Sequence, residues 1–403
     1  MDEIYLDNSA TTKPTKNVIK AINKTLKYNY GNPSSLHNKG LEVEKVLKKT
    51  RKTISKKLNV NSKEILFTSG GTEANNLAIK GIVENYKNRG KHLITTKIEH
   101  PAVLNVFKYL ERNGFKVSYL DVNENGIISL SQLKNYIKDN TILVSIMHVN
   151  NEIGSIQPIA KAARIVKEKN NLCFFHTDAI QSFGKLYINP KKWNIDLLTI
   201  SGHKIHAPKG IGALYVRDKI ELAPLILGGG QEKNIRSGTE NTPGIAGLNA
   251  AIQNLPELNQ KNKYNTTISE LKNYFLQKLK ENKENLPTFK INSPLDHRGA
   301  PHIVNLSFPG FRGEVIVHSL EKEGIYISTG SACHSRKKDK NNTLKEINLS
   351  DEMLKGTIRI SLATYNNKSE IDYTINKLIK QLDFLSIWFF LEKGDDIKCM
   401  MFY

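Results

Sequence analysis

Short runs of β-branched and aliphatic residues alternate with longer amphipathic stretches through the first two thirds of the chain. Residues 65–67, 92–94, 117–120, 142–146, 172–175, 197–200 and 213–216 predict strands. Between several of them, residues 74–86, 103–112 and 160–169 carry apolar positions at helical spacing. Strands that alternate with helices imply an α/β fold, with a mostly parallel sheet covered on both faces. The pattern changes after about residue 255. A long Lys/Asn-rich amphipathic helix is expected over 264–283, then short strands at 303–308, 325–328 and 357–362, then a last helix over 370–385. That part reads as a smaller α+β domain. Neither an internal repeat nor a low-complexity linker interrupts the chain.

Ligands of such sheets collect at the carboxyl ends of strands, and the richest polar segments lie there. Thr68-Ser69-Gly70-Gly71-Thr72-Glu73-Ala74-Asn75 follows a strand and opens a helix, so backbone amides and a helix start are available to an anion. A tight turn with a threonine cap explains the segment equally well. It lacks the G-x-x-x-x-G-K-[ST] of a phosphate-binding loop, which disfavours a P-loop NTPase. Asp178 ends an apolar strand, where a carboxylate is expensive unless it meets a cation or strong donor. Lys204, in Ser201-Gly202-His203-Lys204, ends the next strand among small and polar residues. A desolvated amine there can condense with an aldehyde. An amine for an aldehyde, an acid for a ring nitrogen and an anion cradle are what pyridoxal 5′-phosphate needs.

The ordered set of segments resembles the cysteine desulfurases of the class V, fold-type I pyridoxal-phosphate family. It comprises residues 5–12, 31–35 and 67–74, Glu99-His100, residues 147–154, the Asp178 and Lys204 segments, residues 228–232 and 236–241, and Ser328 to Cys333. These run in family order from residue 4 to about residue 375. The resemblance implies a large domain, 14–258, with a mostly parallel seven-stranded sheet, and a small domain made of 1–13 and 259–403. It implies that Lys204 holds the cofactor and Asp178 pairs with its ring nitrogen. His100 would lie against the ring and help move protons. Gly71, Thr72, Ser201 and His203 would grip the phosphate, while Gln181 and Asn151 would contact the ring hydroxyl or the substrate. Thr239 would reach the phosphate from a neighbouring subunit, which implies a homodimer. Arg359 would bind the substrate carboxylate as a bidentate fork.

Cys333 separates this activity from its neighbours. It sits between Ser-Thr-Gly-Ser-Ala and His334-Ser335-Arg336-Lys337-Lys338, and adjacent cations favour a thiolate. By the resemblance it attacks the sulfur of L-cysteine, leaving alanine and a persulfide for an acceptor such as an iron–sulfur scaffold or a thiolation enzyme. The length of the basic segment after it, residues 336–342, matches the long-loop group of the family. Two departures are local: Ala363-Thr364 stands where the family commonly has Gly-Arg, and the ending from Ser386 onward is unlike the usual one. A selenocysteine lyase or a class V aminotransferase is the nearest alternative, although a transaminase has no use for Cys333.

Composition alters little of this. At 403 residues with 39% hydrophobic and 24% charged residues, the chain matches an ordinary globular protein. Three cysteines and no C-x-x-C pair argue against a disulfide framework and a metal site. Cys173, in an apolar run, reads as inert core, and Cys399 lies in the tail. No secretory signal or membrane span is read, so a cytoplasmic, reducing setting is expected. The net charge of +20 raises a distant alternative, a nucleic-acid-binding protein. No recognition module accompanies it. The lysines crowd helical surfaces, and nucleic acid and membrane are both disfavoured as partners.

Overall fold

The seven apolar runs form one sheet covered by helices; six are buried along their length, and the edge strand Lys116–Leu120 is buried only at Leu120. In this computed structural model, which describes residues 3–329 and 342–393, the order from one edge is Ile65–Thr68, Gly212–Val216, Leu197–Ser201, Phe174–Asp178, Thr141–Ser145, His92–Thr96 and Lys116–Leu120. Gly212–Val216 runs antiparallel to both its neighbours, and the other pairings are parallel. The α/β class and the mostly parallel seven-stranded sheet are as expected. One face packs against a layer containing Val43, Leu47 and Ile54 of the helix Asn38–Leu58, and the other against Leu77, Ile82 and Phe107.

Element boundaries moved by a few residues. The strand expected at 172–175 is Phe174–Asp178, since Leu172 is exposed in the preceding turn. The run 325–328 divides between two sheets: Ile325–Tyr326 pairs in parallel with Ile4–Tyr5, and Ser328–Thr329 joins a four-stranded antiparallel sheet. That sheet has the order Ser328–Thr329, Thr357–Ser361, Ile303–Ser307, Lys290–Ile291. Its core is built from Phe275, Leu306, Phe308, Ile358, Ile360 and residues of the helix Lys368–Lys393. The N-terminal strand thus belongs with the later sheet, and Asp7 bridges to Ser361.

Candidate active site

The strands Ile65–Thr68, His92–Thr96, Thr141–Ser145, Phe174–Asp178 and Leu197–Ser201 all point their carboxyl ends to the same edge of the sheet. Three polar segments meet there. Asp178 is the last residue of its strand, and Ser201 leads into the turn Gly202–Lys204. Gly71 opens the helix Gly71–Tyr86 against both. A Cβ on Gly71 would lie 2.2 Å from Ile180 Cδ1 and 3.3 Å from Ser201 Cβ, so any larger residue must push the Ile180 side chain aside for the helix start to sit this close.

Asp178 is 4% exposed. Its Oδ2 accepts from Asn75 Nδ2 at 2.7 Å and its Oδ1 from the Ile180 N–H at 2.9 Å. Burial pushes its pKa up, opposed by those two donors and by the charge of Lys204. Lys204 Nζ donates to the carbonyls of Ser9 and Ala10, each at 2.6 Å. The N-terminal segment grips the same turn further along. Thr12 donates to the His203 carbonyl through its N–H and its hydroxyl, and His206 N–H donates to the Thr12 hydroxyl. His203 Nδ1 stands 3.2 Å from Thr11 Oγ1. Burial and the neighbouring Lys204, Lys209, Lys185 and His100 bring its pKa down to about 4, so it is neutral at pH 7.

His100 caps the helix Pro101–Arg112, with Nδ1 accepting from the Ala102 N–H at 3.1 Å. It lines an open groove of about 470 Å³ with Thr72, from the facing helix. Gln181 Nε2 donates to the Ser9 carbonyl at 2.9 Å, and its Oε1 lies 3.3 Å from Nε2 of the buried His302. Both ends of the Gln181 amide therefore have partners within the protein. Thr239 lies exposed after Arg236, and Arg236 is held to Glu73 by an Nε–Oε1 contact of 2.9 Å.

Arg359 comes from the second sheet. It is 4% exposed; one terminal nitrogen donates to Asp7 Oδ1 at 2.8 Å and the other to the Asn151 carbonyl at 2.9 Å. Its Nε is buried with no hydrogen-bond partner among the described residues. Arg359 pairs with Ser328 in the ladder, and Thr343 hydrogen-bonds to Asn150 at 3.2 Å. The chain therefore leaves at Thr329 and returns at Thr343 beside Arg359 and Asn150. Cys333 lies between, outside the described residues, as does Cys399. Cys173 is fully buried, and burial raises its thiol to about 12.

Sequence reading left several neighbours of the site unassigned. Asn75 holds Asp178, Asp7 holds Arg359, and Glu99 is a buried carboxyl whose pKa rises to about 8 through burial. Asn75 lies within the polar segment after the strand Ile65–Thr68, and Glu99 within a segment that carries the family resemblance. Asn75 meets Asp178 and Glu99 meets Met147 from far along the chain, and only the Thr96 hydroxyl on Glu99 is local.

The arrangement offers an amine, a buried carboxylate facing it, a glycine-lined helix start and a buried guanidinium with an unused N–H. Asn75 Oδ1 is also buried without a hydrogen-bond partner among the described residues. These groups fit a planar phosphorylated aldehyde such as pyridoxal phosphate, with an amino-acid carboxylate on the Arg359 side. Among the described residues no group of three or more His, Cys, Asp or Glu side chains is placed to hold a metal ion, and no helix is long and apolar enough to cross a membrane.

The aminotransferase class-V family model matches residues 4–374. A protein named cysteine desulfurase IscS from Clostridium botulinum (strain Hall) is 44% identical over 387 residues, covering 94% of this chain and 95% of its own length. Among solved structures, a NifS-like protein superposes with a TM-score of 0.87 at 36% identity, over 95% of this chain and 100% of its own. SspA, solved in complex with cysteine, gives a TM-score of 0.77 at 37% identity, over 90% of this chain and 100% of its own.

Proposed function

Because the chain belongs to the aminotransferase class-V family, within its cysteine desulfurases, we propose that it takes sulfur from L-cysteine with pyridoxal 5′-phosphate as cofactor. The products are L-alanine and a persulfide on Cys333. The observation that carries this reading is the meeting of Asp178, Lys204 and the Gly71 helix start at one sheet edge, with Arg359 buried across from them.

Bound there, the cofactor supplies an electron sink for the carbon that loses its proton. The chain's own groups do the rest. Lys204 would carry the cofactor and, as a free amine, would accept the substrate Cα proton at Nζ. Asp178, oriented by the Asn75 amide and the Ile180 N–H, would keep the ring nitrogen protonated. Gly71, Thr72, Ser201 and His203 would hold the phosphate, and His100 would lie against the ring face. Asn151 and Gln181 line the ring-hydroxyl side. Arg359, braced by Asp7 and the Asn151 carbonyl, binds the substrate carboxylate. Cys333 is four residues from Thr329, a span of at most about 14 Å of chain. Its thiolate would take the sulfur atom, and the basic Arg336, Lys337, Lys338 and Lys340 favour both the thiolate and an acidic acceptor protein.

Two further parts belong to the same proposal. The chain divides into 14–258 and a second unit of 1–13 with 259–403, supported by the separate apolar cores and by the pairing of Ile4–Tyr5 with Ile325–Tyr326. A homodimer that brings Thr239 to the partner's phosphate site is supported by exposed Leu26, Tyr30, Leu36 and Leu227. The sulfur acceptor is a protein of iron–sulfur assembly or of tRNA thiolation.

The experiment is direct. The purified yellow protein is incubated with L-cysteine and a reductant, and alanine and sulfide are measured. Lys204→Ala and Cys333→Ser should each abolish sulfide release. Alanine and sulfide formed by Cys333→Ser at the wild-type rate would remove the persulfide step.

A further inference from the structure

Lys185 lies in the turn that follows Asp178 and is 6% exposed. Its Nζ donates to the backbone carbonyl of Lys204 at 3.0 Å. Its own carbonyl accepts from the Asn265 N–H at 3.0 Å, where the helix Thr266–Glu281 begins. One residue thus ties the Asp178 turn, the Lys204 turn and the entry to the second unit. A buried ammonium facing a neutral carbonyl is costly, and an apolar side chain of similar length would fill the space at less cost. A lysine here is therefore chemically conspicuous.

The charged groups around it are nearly all bases. Lys204 acts on Lys185, and Lys185 in turn disfavours protonation of His203, His206 and His302. Among the described residues, no carboxylate contributes to the shift at Lys185. Lys204, in contrast, faces the acids Asp7 and Asp178.

We propose that Lys185 is a positioning residue for Lys204: it anchors the backbone of the Lys204 turn and, as a buried second amine held against that turn, favours the unprotonated form of the Lys204 nitrogen. The inference rests on the reading that Lys204 carries the cofactor. Two amines confined together titrate as a pair, and a proton on one opposes a proton on the other. Burial, with Lys204 beside it, brings Lys185 down to about 7, so it holds its proton below that pH and gives it up above it.

The visible absorbance of the loaded protein, without substrate, reports protonation of the Lys204 nitrogen that bears the cofactor. It is titrated in the wild type and in Lys185→Met, Lys185→Gln and Lys185→Arg. Met and Gln, which remove the charge, should raise the midpoint by about one pH unit. Arg keeps charge and donor and should hold the midpoint at or below the wild-type value. Coincident midpoints for wild type, Met and Gln overturn the proposal, including the case where melting temperature falls and the midpoint stays; Lys185 is then a structural peg. If Met fails to fold, Gln, which retains a donor to the Lys204 carbonyl, carries the comparison. A visible band that still titrates with pH in Lys204→Ala removes the assignment of Lys204 itself, and this inference with it.

Discussion

Glu99 gives a stability test whose size follows from its surroundings. The carboxyl is 4% exposed beneath the site. Oε1 accepts from the Thr96 hydroxyl at 2.9 Å and from the Met147 N–H at 2.7 Å, while Oε2 is buried with no hydrogen-bond partner among the described residues. Burial is the main cause of a pKa raised from 4.5 to about 8, and the charge of Asp178 adds to it. The folded protein thus keeps this proton at neutral pH, whereas the unfolded chain releases it in the ordinary carboxyl range. Between those two values the folded state binds more protons than the unfolded one, so stability falls as pH rises. The slope is at most about 1.4 kcal/mol per pH unit, the loss beginning near pH 4.5 and complete above about 8. By pH 7 it amounts to about 3 kcal/mol.

Glu99→Gln preserves the shape and the accepting oxygen and removes the titration. Urea unfolding of the loaded protein, followed by circular dichroism from about pH 5 to about pH 8, measures the difference. The two proteins should lie within about 1 kcal/mol of each other at the acid end, with Gln the more stable by about 3–4 kcal/mol at the alkaline end. A difference that stays constant across this range would mean that Glu99 ionises as an ordinary carboxyl, and the burial argument would fail.

Other substitutions test the site itself. Gly71→Ala should weaken cofactor retention by about 1–3 kcal/mol through overpacking; because the nearest atom is Ile180 Cδ1 at 2.2 Å, adding Ile180→Val should restore much of it in equilibrium dialysis. Asp178→Asn should still fold, since Asn75 can rotate its amide to offer the currently unpartnered Oδ1. Its kcat should fall about 10- to 100-fold with loss of a charge-assisted hydrogen bond, and an unchanged kcat would refute the assigned role. Arg359→Lys keeps a cation but loses the fork, so KM for L-cysteine should rise about tenfold or more while kcat changes less. Steady-state kinetics with an unchanged KM would place the carboxylate elsewhere.

The glycine helix start, Asp178 and Lys204 were legible because each occupies an informative local position: small residues at a strand–helix junction, or a charge at the end of an apolar run; Arg359, in the middle of the strand Thr357–Ser361, was marked only by the family resemblance. The alternation of strands and helices likewise announced the α/β sheet. The division of 325–329 between two sheets was not legible, because a continuous apolar run carries no mark of which neighbour each residue will pair with. The only sign of Asp7 was its place in a matching segment near the N-terminus; its ion pair with Arg359 spans 352 positions.

The sequence by itself determined which groups of the proposed chemistry are present and which elements deliver them, since periodicity and turn chemistry act over a few residues. Tertiary structure alone decided how those groups are charged and held. Asn75 on Asp178, Asp7 on Arg359, a protonated Glu99 and the buried Lys185 behind Lys204 all depend on which chain segments lie side by side and on how completely water is excluded between them. Desolvation and long-range contact are properties of the packed sheet edge, and no local pattern in the chain encodes either.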